Sequence, residues 1–409
     1  MGEMIFARML LKGDRMEKAR LRRAANERTF CVQIATNDIQ EGIGAARLAA
    51  EAGADWVDLN CGCPIYEATR RNLGSALLRY PDKLARLVSG IAAESPLPLS
   101  VKVRIAAEGG EINVREVCDK LRDAGAAAVT IHGRTAEARY SRAADWELIG
   151  QVVQDGQARR EHPIPVVGNG DILTYYEAQD RIALSGVDAV MVGRGALTKP
   201  WIFDEYANSR DWEPTAVERV EIYRRLACYM KEHFGDDDRG RKMAWYFLPW
   251  HFDFLTRYRA LPEHEFASIA STTPLMQTRM EPLSDQAPSL DRLLAHSSPD
   301  VHELIATRLW EATSDGDAVQ ALEALSTSAE LADLGKAEKV RTSAGDTTEL
   351  ANLPSSADGS SEGSGNRRQR NRRQAAPQRT ETEIAALRAE RAAKRARTGA
   401  PPHVNGARR

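Results

Sequence analysis

Short, continuous apolar segments alternate with amphipathic helical patterns over the first half of the chain. The apolar segments are rich in Val and Ile and do not alternate with polar residues, which is typical of strands covered on both faces. They lie at residues 30–34, 56–59, 99–103, 128–131, 164–167 and 189–192. The helical patterns between them include residues 42–52, 82–93, 114–124 and 175–184. The order predicts repeated βα units with parallel strands.

A weak internal repeat supports this interpretation. Gly53, Gly125 and Gly186 each stand between a helical pattern and the next predicted strand, where glycine suits the left-handed residue that ends a helix. Parallel strands joined by helices form either an open doubly wound sheet or a closed (β/α)8 barrel. No GxGxxG fingerprint follows an early strand, which argues against a dinucleotide-binding sheet. We therefore predict an α/β fold of the (β/α)8 TIM barrel class.

Two glycine-rich turns follow the last two predicted strands, GNGD at 168–171 and GRGA at 193–196. In many barrels the loops after strands seven and eight bind a phosphate, because glycine lets backbone N–H groups approach the anion closely. If these are strands seven and eight, the first two strands should precede residue 30. Only residues 3–6 resemble the end of a strand, so we expect the barrel to be N-terminally incomplete by about one βα unit.

The pattern divides the chain into five regions. We expect a remnant of an early βα unit with a basic helix at 1–29, the TIM barrel at 30–207, a small α-helical domain with extra helices at 212–340, a Ser/Gly-rich linker at 341–365 and a basic, largely disordered tail at 366–409. The tail carries thirteen Lys/Arg and three Glu, although the whole chain has a net charge of -2. Such a tail fits either a nuclear localisation signal or a non-specific RNA-binding arm.

Composition narrows the class of protein. Hydrophobic residues make up 43% and charged residues 28% of the chain, which is ordinary globular usage and excludes collagen-like and wholly disordered proteins. No apolar run reaches the roughly 18 residues of a membrane helix, so we expect no membrane partner. The five scattered cysteines form no CxxC pair and no Cys/His cluster at zinc spacing. We expect reduced thiols, no metal, a monomer, and a location in the cytoplasm, the nucleus or both.

Polar residues at the ends of predicted strands are the candidates for chemistry, because barrel active sites are built at the carboxyl ends of strands. Lys102 and His132 end two strands, and Cys63 follows another and precedes a proline. Since cysteine is often a buried core residue, we expect the other four thiols, Cys31, Cys61, Cys118 and Cys228, to be structural. On residue type alone, Lys102 could equally cap the barrel mouth and His132 could be a core histidine.

Five motifs in order carry a resemblance to a known family. They are DLNCGCP at 58–64, VKVR at 101–104, IHGRT at 131–135, VVGNGDI at 166–172 and VMVGRGAL at 190–197. Together, over about residues 2 to 258, they resemble the tRNA-dihydrouridine synthase family, and the DLNCGCPI form is most similar to the eukaryotic branch that modifies uridine 47 of tRNA.

The resemblance implies an enzyme in which NADPH or NADH reduces FMN and the reduced flavin passes hydride to C6 of a uracil in tRNA. Cys63 would supply the proton to C5, and a thiol with an ordinary pKa of about 8.5 is protonated near neutrality. The positions that match cofactor-binding residues of the family are Gln33, Lys102, His132, Asn169, Gly170, Asp171, Gly193 and Arg194. For tRNA contact near the pocket we expect Arg134, Arg139 and Arg142.

Two alternatives stay open on the sequence. The chain could be another FMN-barrel reductase that acts on a small pyrimidine or enone, which would work without tRNA. It could also be a non-catalytic tRNA-binding relative with an incomplete barrel. A yellow, flavin-containing protein favours an enzyme, whereas a colourless protein that binds tRNA favours the binder.

Overall fold

A parallel sheet of seven strands forms the N-terminal half of the molecule. The computed structural model describes residues 1–138, 140–158 and 164–332. Each strand pairs with the next strand in the sequence, so the order across the sheet is the order along the chain. The strands are β1 (Ile5–Phe6), β2 (Cys31–Ala35), β3 (Trp56–Cys61), β4 (Leu99–Arg104), β5 (Ala128–His132), β6 (Val166–Asn169) and β7 (Ala189–Met191). The predicted run of parallel βα units is confirmed.

Helices follow the strands and continue beyond the sheet. Those between strands are α1 (Ala7–Leu11), α2 (Arg15–Ala19), α3 (Ile39–Glu51), α4 (Tyr66–Thr69), α5 (Pro81–Glu94), α6 (Val114–Asp123), α7 (Trp146–Ala158) and α8 (Tyr175–Ser185). Those after β7 are α9 (Arg194–Thr198), α10 (Ile202–Asn208), α11 (Ala216–Phe234), α12 (Asp238–Ala244), α13 (Leu248–Leu255), α14 (Glu263–Ala270), α15 (Ser289–Leu294), α16 (Pro299–Glu311) and α17 (Asp315–Ser326).

Glycine ends three of the inter-strand helices as the repeat predicts. Gly53, Gly125 and Gly186 follow α3, α6 and α8 with φ values of 80°, 88° and 69°. This left-handed conformation is costly for residues with a Cβ but not for glycine. Each helix therefore stops shortly before the next strand begins.

The first thirty residues differ in detail from the expectation. The strand predicted at 3–6 is the two-residue β1, which pairs with Ile34 and Ala35 of β2. The basic helix predicted at 1–29 is two short helices, α1 and α2, because the chain turns at Gly13 with a φ of 86°. Within the described residues the sheet has seven strands, and β1 and β7 are its two edges.

The register of the sheet aligns the polar residues at the strand ends. Asn60 of β3 pairs with Lys102 of β4. Arg104 of β4 pairs with His132 of β5, and His132 pairs with Asn169 of β6. Because all strands are parallel, these side chains lie at the same carboxyl edge. Hydrophobic residues of the strands and of the helices that pack on them form the core of this half.

The helices after α10 bury a core of their own. Most of its members come from α11, α13, α15, α16 and α17, and Tyr223, Phe252 and Ile305 are at most 1% exposed. All described residues, those of the sheet and those of these helices, lie in one compact unit. The linker at 341–365 and the tail at 366–409 lie outside the described residues. In the ranges that the structure describes, no helix has the length and apolarity needed to cross a membrane.

Candidate functional site

A cavity of ≈ 350 Å³ opens at the carboxyl edge of the sheet. Its volume falls within the range of small-molecule sites, roughly 300–1,000 Å³. All nine residues predicted from the sequence for catalysis and cofactor binding line it: Gln33, Cys63, Lys102, His132, Asn169, Gly170, Asp171, Gly193 and Arg194. The structure therefore brings all nine residues together at one edge of the sheet.

The loop after β3 presents Cys63 to the cavity. The side-chain Oδ1 of Asn60 accepts hydrogen bonds from the backbone N–H of Gly62 (3.1 Å) and of Cys63 (2.9 Å), which fixes the loop from within. Burial raises the pKa of the Cys63 thiol, and the nearby charges of Arg104 and Lys102 act in the opposite direction. The thiol is therefore protonated at neutral pH and able to donate a proton.

The other four thiols lie elsewhere. Cys31 and Cys61 are fully buried in the sheet, and Cys118 and Cys228 are half-buried. Burial raises the pKa of the first three of these thiols. Among the five cysteines, Cys63 is the one that lines the cavity.

The backbone around Cys63 depends on a close approach by Gly74. The N–H of Ser75 donates to the carbonyl oxygen of Cys63 at 3.0 Å. Gly74 has a φ of 60°, and a Cβ placed there would lie 2.4 Å from that same oxygen. A side chain at this position is therefore excluded by both backbone conformation and contact.

We expect Gly74→Ala to destabilise the protein more than Gly109→Ala. Both glycines have positive φ values, 60° and 64°, but a Cβ at Gly109 meets nothing within 4 Å. The left-handed conformation costs about 1–2 kcal/mol in each variant, and the clash with Cys63 adds about 1–3 kcal/mol in the first. Urea denaturation measures both free energies of unfolding. Equal losses would show that the contact with the Cys63 loop contributes nothing.

Lys102 places an ammonium group with a lowered pKa in the cavity. Its Nζ donates to Oδ1 of Asn169 at 2.9 Å, and Nδ2 of Asn169 donates to the carbonyl oxygen of Met191 at 2.8 Å. Burial lowers the pKa of Lys102 to about 8, although the charge of Asp58 acts against the decrease. An anion bound in the cavity would be stabilised by the protonated amine.

His132 is uncharged. Burial, together with the positive charges of Arg104 and Lys102, lowers its pKa to about 2. Its Nε2 lies 3.3 Å from Nη1 of Arg134. Because a guanidinium can only donate, Nε2 is the acceptor and the ring proton is on Nδ1. His132 therefore adds a neutral hydrogen-bonding group to a cavity whose charged side chains are mostly cationic.

The carboxylate of Asp171 forms ion pairs with two arginines of the cavity wall. Asp171 is fully buried and accepts from Nη2 of Arg134 at 2.7 Å and from Nη2 of Arg194 at 3.2 Å. It also accepts from the N–H of Ala144 at 2.7 Å and from Nε2 of Gln277 at 3.1 Å. The Asp171 side chain therefore orients other cavity residues, and its acceptor capacity is already used.

The three arginines expected to contact tRNA have different surroundings. Arg134 is 2% exposed, and its Nε donates to the carbonyl oxygen of Arg142 at 2.7 Å, so it belongs to the cavity wall and not to the outer surface. The residue Arg142 is exposed beside it. Arg139 lies outside the described residues. Arg194 lies with its guanidinium carbon 3.9 Å from the ring centre of Tyr140.

A segment from beyond the sheet completes the cavity. Met276 lines it, and Gln277 reaches Asp171 as described above. The segment is held by Glu177 at the start of α8, whose buried carboxylate accepts the N–H of Leu275 at 2.8 Å. Burial raises the pKa of Glu177.

The sequence analysis missed several cavity residues. Asn60 and Arg104 were not assigned to the site, although both stand near strand ends inside the motifs DLNCGCP and VKVR. Tyr140 lies in an irregular segment, and Met276 is about a hundred residues from the motif that it faces. No local sequence pattern identifies residues such as Tyr140 and Met276 as part of the cavity. Among the described residues, no three His, Cys, Asp or Glu side chains are grouped as a metal site.

The family profile and the most similar curated proteins point to the same family. The profile of the dihydrouridine synthase (Dus) family matches residues 1–264. NAD(P)+-dependent tRNA-dihydrouridine(47) synthase of Coprinopsis cinerea is 36% identical over 266 residues, which cover 63% of this chain and 39% of that protein. Its counterpart in Cryptococcus neoformans is 39% identical over 273 residues, covering 63% and 37%. The human tRNA-dihydrouridine(47) synthase-like protein is 37% identical over 260 residues, covering 63% and 39%.

The chain spans about two fifths of the length of these relatives. Similarity to solved structures is weak. A phosphonopyruvate hydrolase complex is 18% identical with a TM-score of 0.34, covering 46% of this chain and 65% of that one. A 2-naphthoyl-CoA reductase complex is 16% identical with a TM-score of 0.33, covering 42% and 29%. Scores this low support no argument about fold or function.

The family profile covers well over half of the chain, and it spans the sheet and nearly all of the residues that line the cavity. The chain belongs to the dihydrouridine synthase family.

Proposed function

We propose that this protein is an FMN-dependent tRNA-dihydrouridine synthase, in which NADPH or NADH drives reduction of the C5–C6 bond of a uridine in tRNA. The observation that carries the proposal is the convergence of Cys63 with all eight predicted cofactor residues on one cavity. The names of the relatives point to uridine 47 as the target. Seven consecutive parallel strands support a (β/α)8 barrel as the architecture.

The charge of the cavity suits FMN, which combines an anionic phosphate with a ring system rich in hydrogen-bond acceptors. Lys102, Arg104 and Arg194 are cationic, His132 is neutral, and the carboxylate of Asp171 is already paired. Such an excess of positive charge in a partly closed site favours an anionic ligand.

The two glycine turns leave room for a phosphate. A Cβ at Gly195 would lie 2.1 Å from the carbonyl oxygen of Ile172, so the turn after β7 packs directly on the turn after β6. A Cβ at Gly193 would meet nothing within 4 Å, so the space above this backbone is open. Gly193 and Arg194 would hold the phosphate there, and Gln33 and Lys102 would hold the ring. FMN, once bound, supplies the hydride for C6 of the uracil.

The protein's own groups supply the rest of the chemistry. Cys63 donates its proton to C5, and the thiol later recovers a proton from solvent. Arg104 and Lys102 stabilise the thiolate that remains, since both already act to lower the pKa of Cys63. Lys102 also stabilises the negative charge that develops on the uracil when hydride is added. The uracil must leave its stack to reach this cavity, as in other enzymes that act on nucleic-acid bases.

The purified chain tests the proposal directly. We expect it to bind FMN and to form dihydrouridine in unmodified tRNA when NADPH is supplied, as measured by mass spectrometry of tRNA digests. Mapping of the modified nucleotide tests uridine 47. A flavin-containing protein that reduces free enones but not tRNA would instead indicate another FMN-barrel reductase. A colourless protein that binds tRNA would indicate a non-catalytic relative.

We expect FMN affinity to fall as the pH rises above 8. The pKa of Lys102 is lowered to about 8, so its positive charge is present below this pH and lost above it. Since the protonated amine would donate to the flavin ring, the dissociation constant should rise by up to about tenfold per pH unit above the pKa. Quenching of flavin fluorescence between about pH 7 and pH 9.5 measures the dissociation constant of FMN.

The matched variants are Lys102→Arg, which keeps its charge over this range, and Lys102→Met, which has none. The arginine variant should show little pH dependence, and the methionine variant should bind weakly throughout. A wild-type dissociation constant that stays constant over the whole range would rule out a contact between Lys102 and the flavin.

A further inference from the structure

A continuous chain of hydrogen bonds connects the interior of the sheet to the Cys63 loop. The hydroxyl of Ser100 donates to Oδ1 of Asp58 at 2.6 Å, and Nε2 of Gln33 donates to Oδ2 of Asp58 at 2.9 Å. Nδ2 of Asn60 then donates to Oε1 of Gln33 at 2.8 Å. As described above, Oδ1 of Asn60 accepts the N–H of Gly62 and Cys63.

Asp58, at one end of this series, sets the donor-to-acceptor direction of its hydrogen bonds. A carboxylate can only accept, and an amide side chain offers a donor on one side and an acceptor on the other. Because Nε2 of Gln33 faces Asp58, its Oε1 must face Asn60. Because Asn60 then presents its Nδ2 to Gln33, its Oδ1 must face the loop. Among the four hydrogen-bonded side chains that lead to the Cys63 loop, Asp58 is the ionisable one, and it is fully buried.

The orientation of both amides matters at the cavity. Nε2 of Gln33 has a second N–H, which donates to the sulfur of Met1 at 3.3 Å. A thioether is a weak acceptor, so this N–H can turn to a carbonyl oxygen of a bound ligand. The acceptor side of Asn60 meanwhile holds the backbone that carries Cys63. Reversal of the two amides would remove the donor and leave the loop N–H groups without their acceptor.

We propose that Asp58 is a positioning residue that sets the hydrogen-bond polarity of the cavity, orienting Gln33 toward the cofactor and holding the Cys63 loop through Asn60. This inference rests on the proposed function, in which Gln33 contacts FMN and Cys63 is the acid. Asp58 touches neither and acts through its neighbours. Its location between β2 and β4, in register with Gln33, makes the link direct.

The discriminating variant is Asp58→Leu, which fills a similar volume but removes both acceptor oxygens. Nε2 of Gln33 then has no acceptor at position 58, so nothing holds the Gln33 and Asn60 amides in their present direction and both can reverse. In the FMN-loaded enzyme we expect flavin reoxidation by tRNA to slow by about 10–100-fold, the effect of one or two misplaced buried hydrogen bonds. We also expect a shifted visible spectrum of the flavin and faster alkylation of Cys63 by iodoacetamide.

Ser100→Ala is the matched control. It removes a hydrogen bond from the same carboxylate but leaves the direction of the chain unchanged. We expect a comparable loss of stability, and rates within about threefold of wild type because no donor or acceptor is reversed. Mass spectrometry of the Cys63 peptide reports the alkylation rate without any need for tRNA.

A second variant separates polarity from packing. In Asp58→Asn/Gln33→Glu the carboxylate moves by one position and accepts from both asparagines, so the orientation of Asn60 is restored. We expect wild-type protection of Cys63 and, at saturating FMN, reoxidation at least about tenfold faster than in Asp58→Leu. FMN affinity should stay low, because the introduced carboxylate has no N–H to offer the ligand.

The outcomes distinguish this inference from the proposed function. A normal flavin spectrum, normal alkylation and normal reoxidation in Asp58→Leu, or a double variant slower than Asp58→Leu, would overturn the role of Asp58. A wild-type protein that forms no dihydrouridine would overturn the proposed function, whereas the alkylation and flavin-spectrum measurements would still report on the polarity.

Discussion

Replacement of Cys63 by alanine is expected to lower the rate of uridine reduction by about 10²–10⁴-fold, the usual contribution of a positioned general acid. FMN binding and flavin reduction by NADPH should stay within a small factor of wild type, because neither step needs the thiol proton. Rapid mixing of the reduced enzyme with tRNA isolates the affected step. The physical basis is that Cys63 lines the cavity and burial keeps its thiol protonated.

Cys228→Ala is the control for this experiment. Cys228 is a half-buried thiol on α11, outside the cavity. Its replacement should leave FMN binding, flavin reduction and uridine reduction unchanged. If Cys63→Ala reduces uridine as fast as Cys228→Ala does, another group donates the proton and the assignment of Cys63 is wrong.

Asp171→Asn is expected to lower the free energy of unfolding by about 3–5 kcal/mol, the usual cost of removing one partner from a buried ion pair. Asp171 is fully buried, and it neutralises Arg134, whose side chain is 1% exposed. Asparagine is the appropriate replacement, because the φ of Asp171 is 49° and asparagine tolerates this left-handed conformation. The loss therefore reports the missing charge and not backbone strain.

Urea denaturation without FMN measures this effect, and Asp253→Asn provides the comparison. Asp253 pairs with Arg257 on the surface of α13, and both side chains are at least 41% exposed. Such a pair contributes about 0.3–0.5 kcal/mol. If the two variants lose similar amounts, Asp171 does not stabilise the arginines of the cavity wall.

The fold was predictable to the extent that it depends on local pattern. The Val- and Ile-rich segments predicted β2 to β7 to within about two residues at each end, because strands buried on both faces must be continuously apolar. Gly53, Gly125 and Gly186 marked helix ends because few other residues accept their φ values. Only two residues pair in β1, too few for a clear pattern, and the break at Gly13 was not anticipated.

The cavity was predictable for residues at strand ends, because parallel strands bring those ends together. The resemblance then favoured a cofactor-binding role for Lys102 and His132 over a capping or core role. What could not be predicted is how the side chains pair. Nothing local shows that Arg134 is buried against Asp171, or that Gln277 joins them from 106 positions away. Such contacts depend on where the later helices pack.

The attachment of residues 275–277 to the sheet has a consequence for where the domain ends. The match to the family profile stops at residue 264, which is inside α14. The bonds from Glu177 to Leu275 and from Asp171 to Gln277 cross that limit. A truncation designed from sequence similarity alone would therefore remove residues 275–277 from the cavity wall.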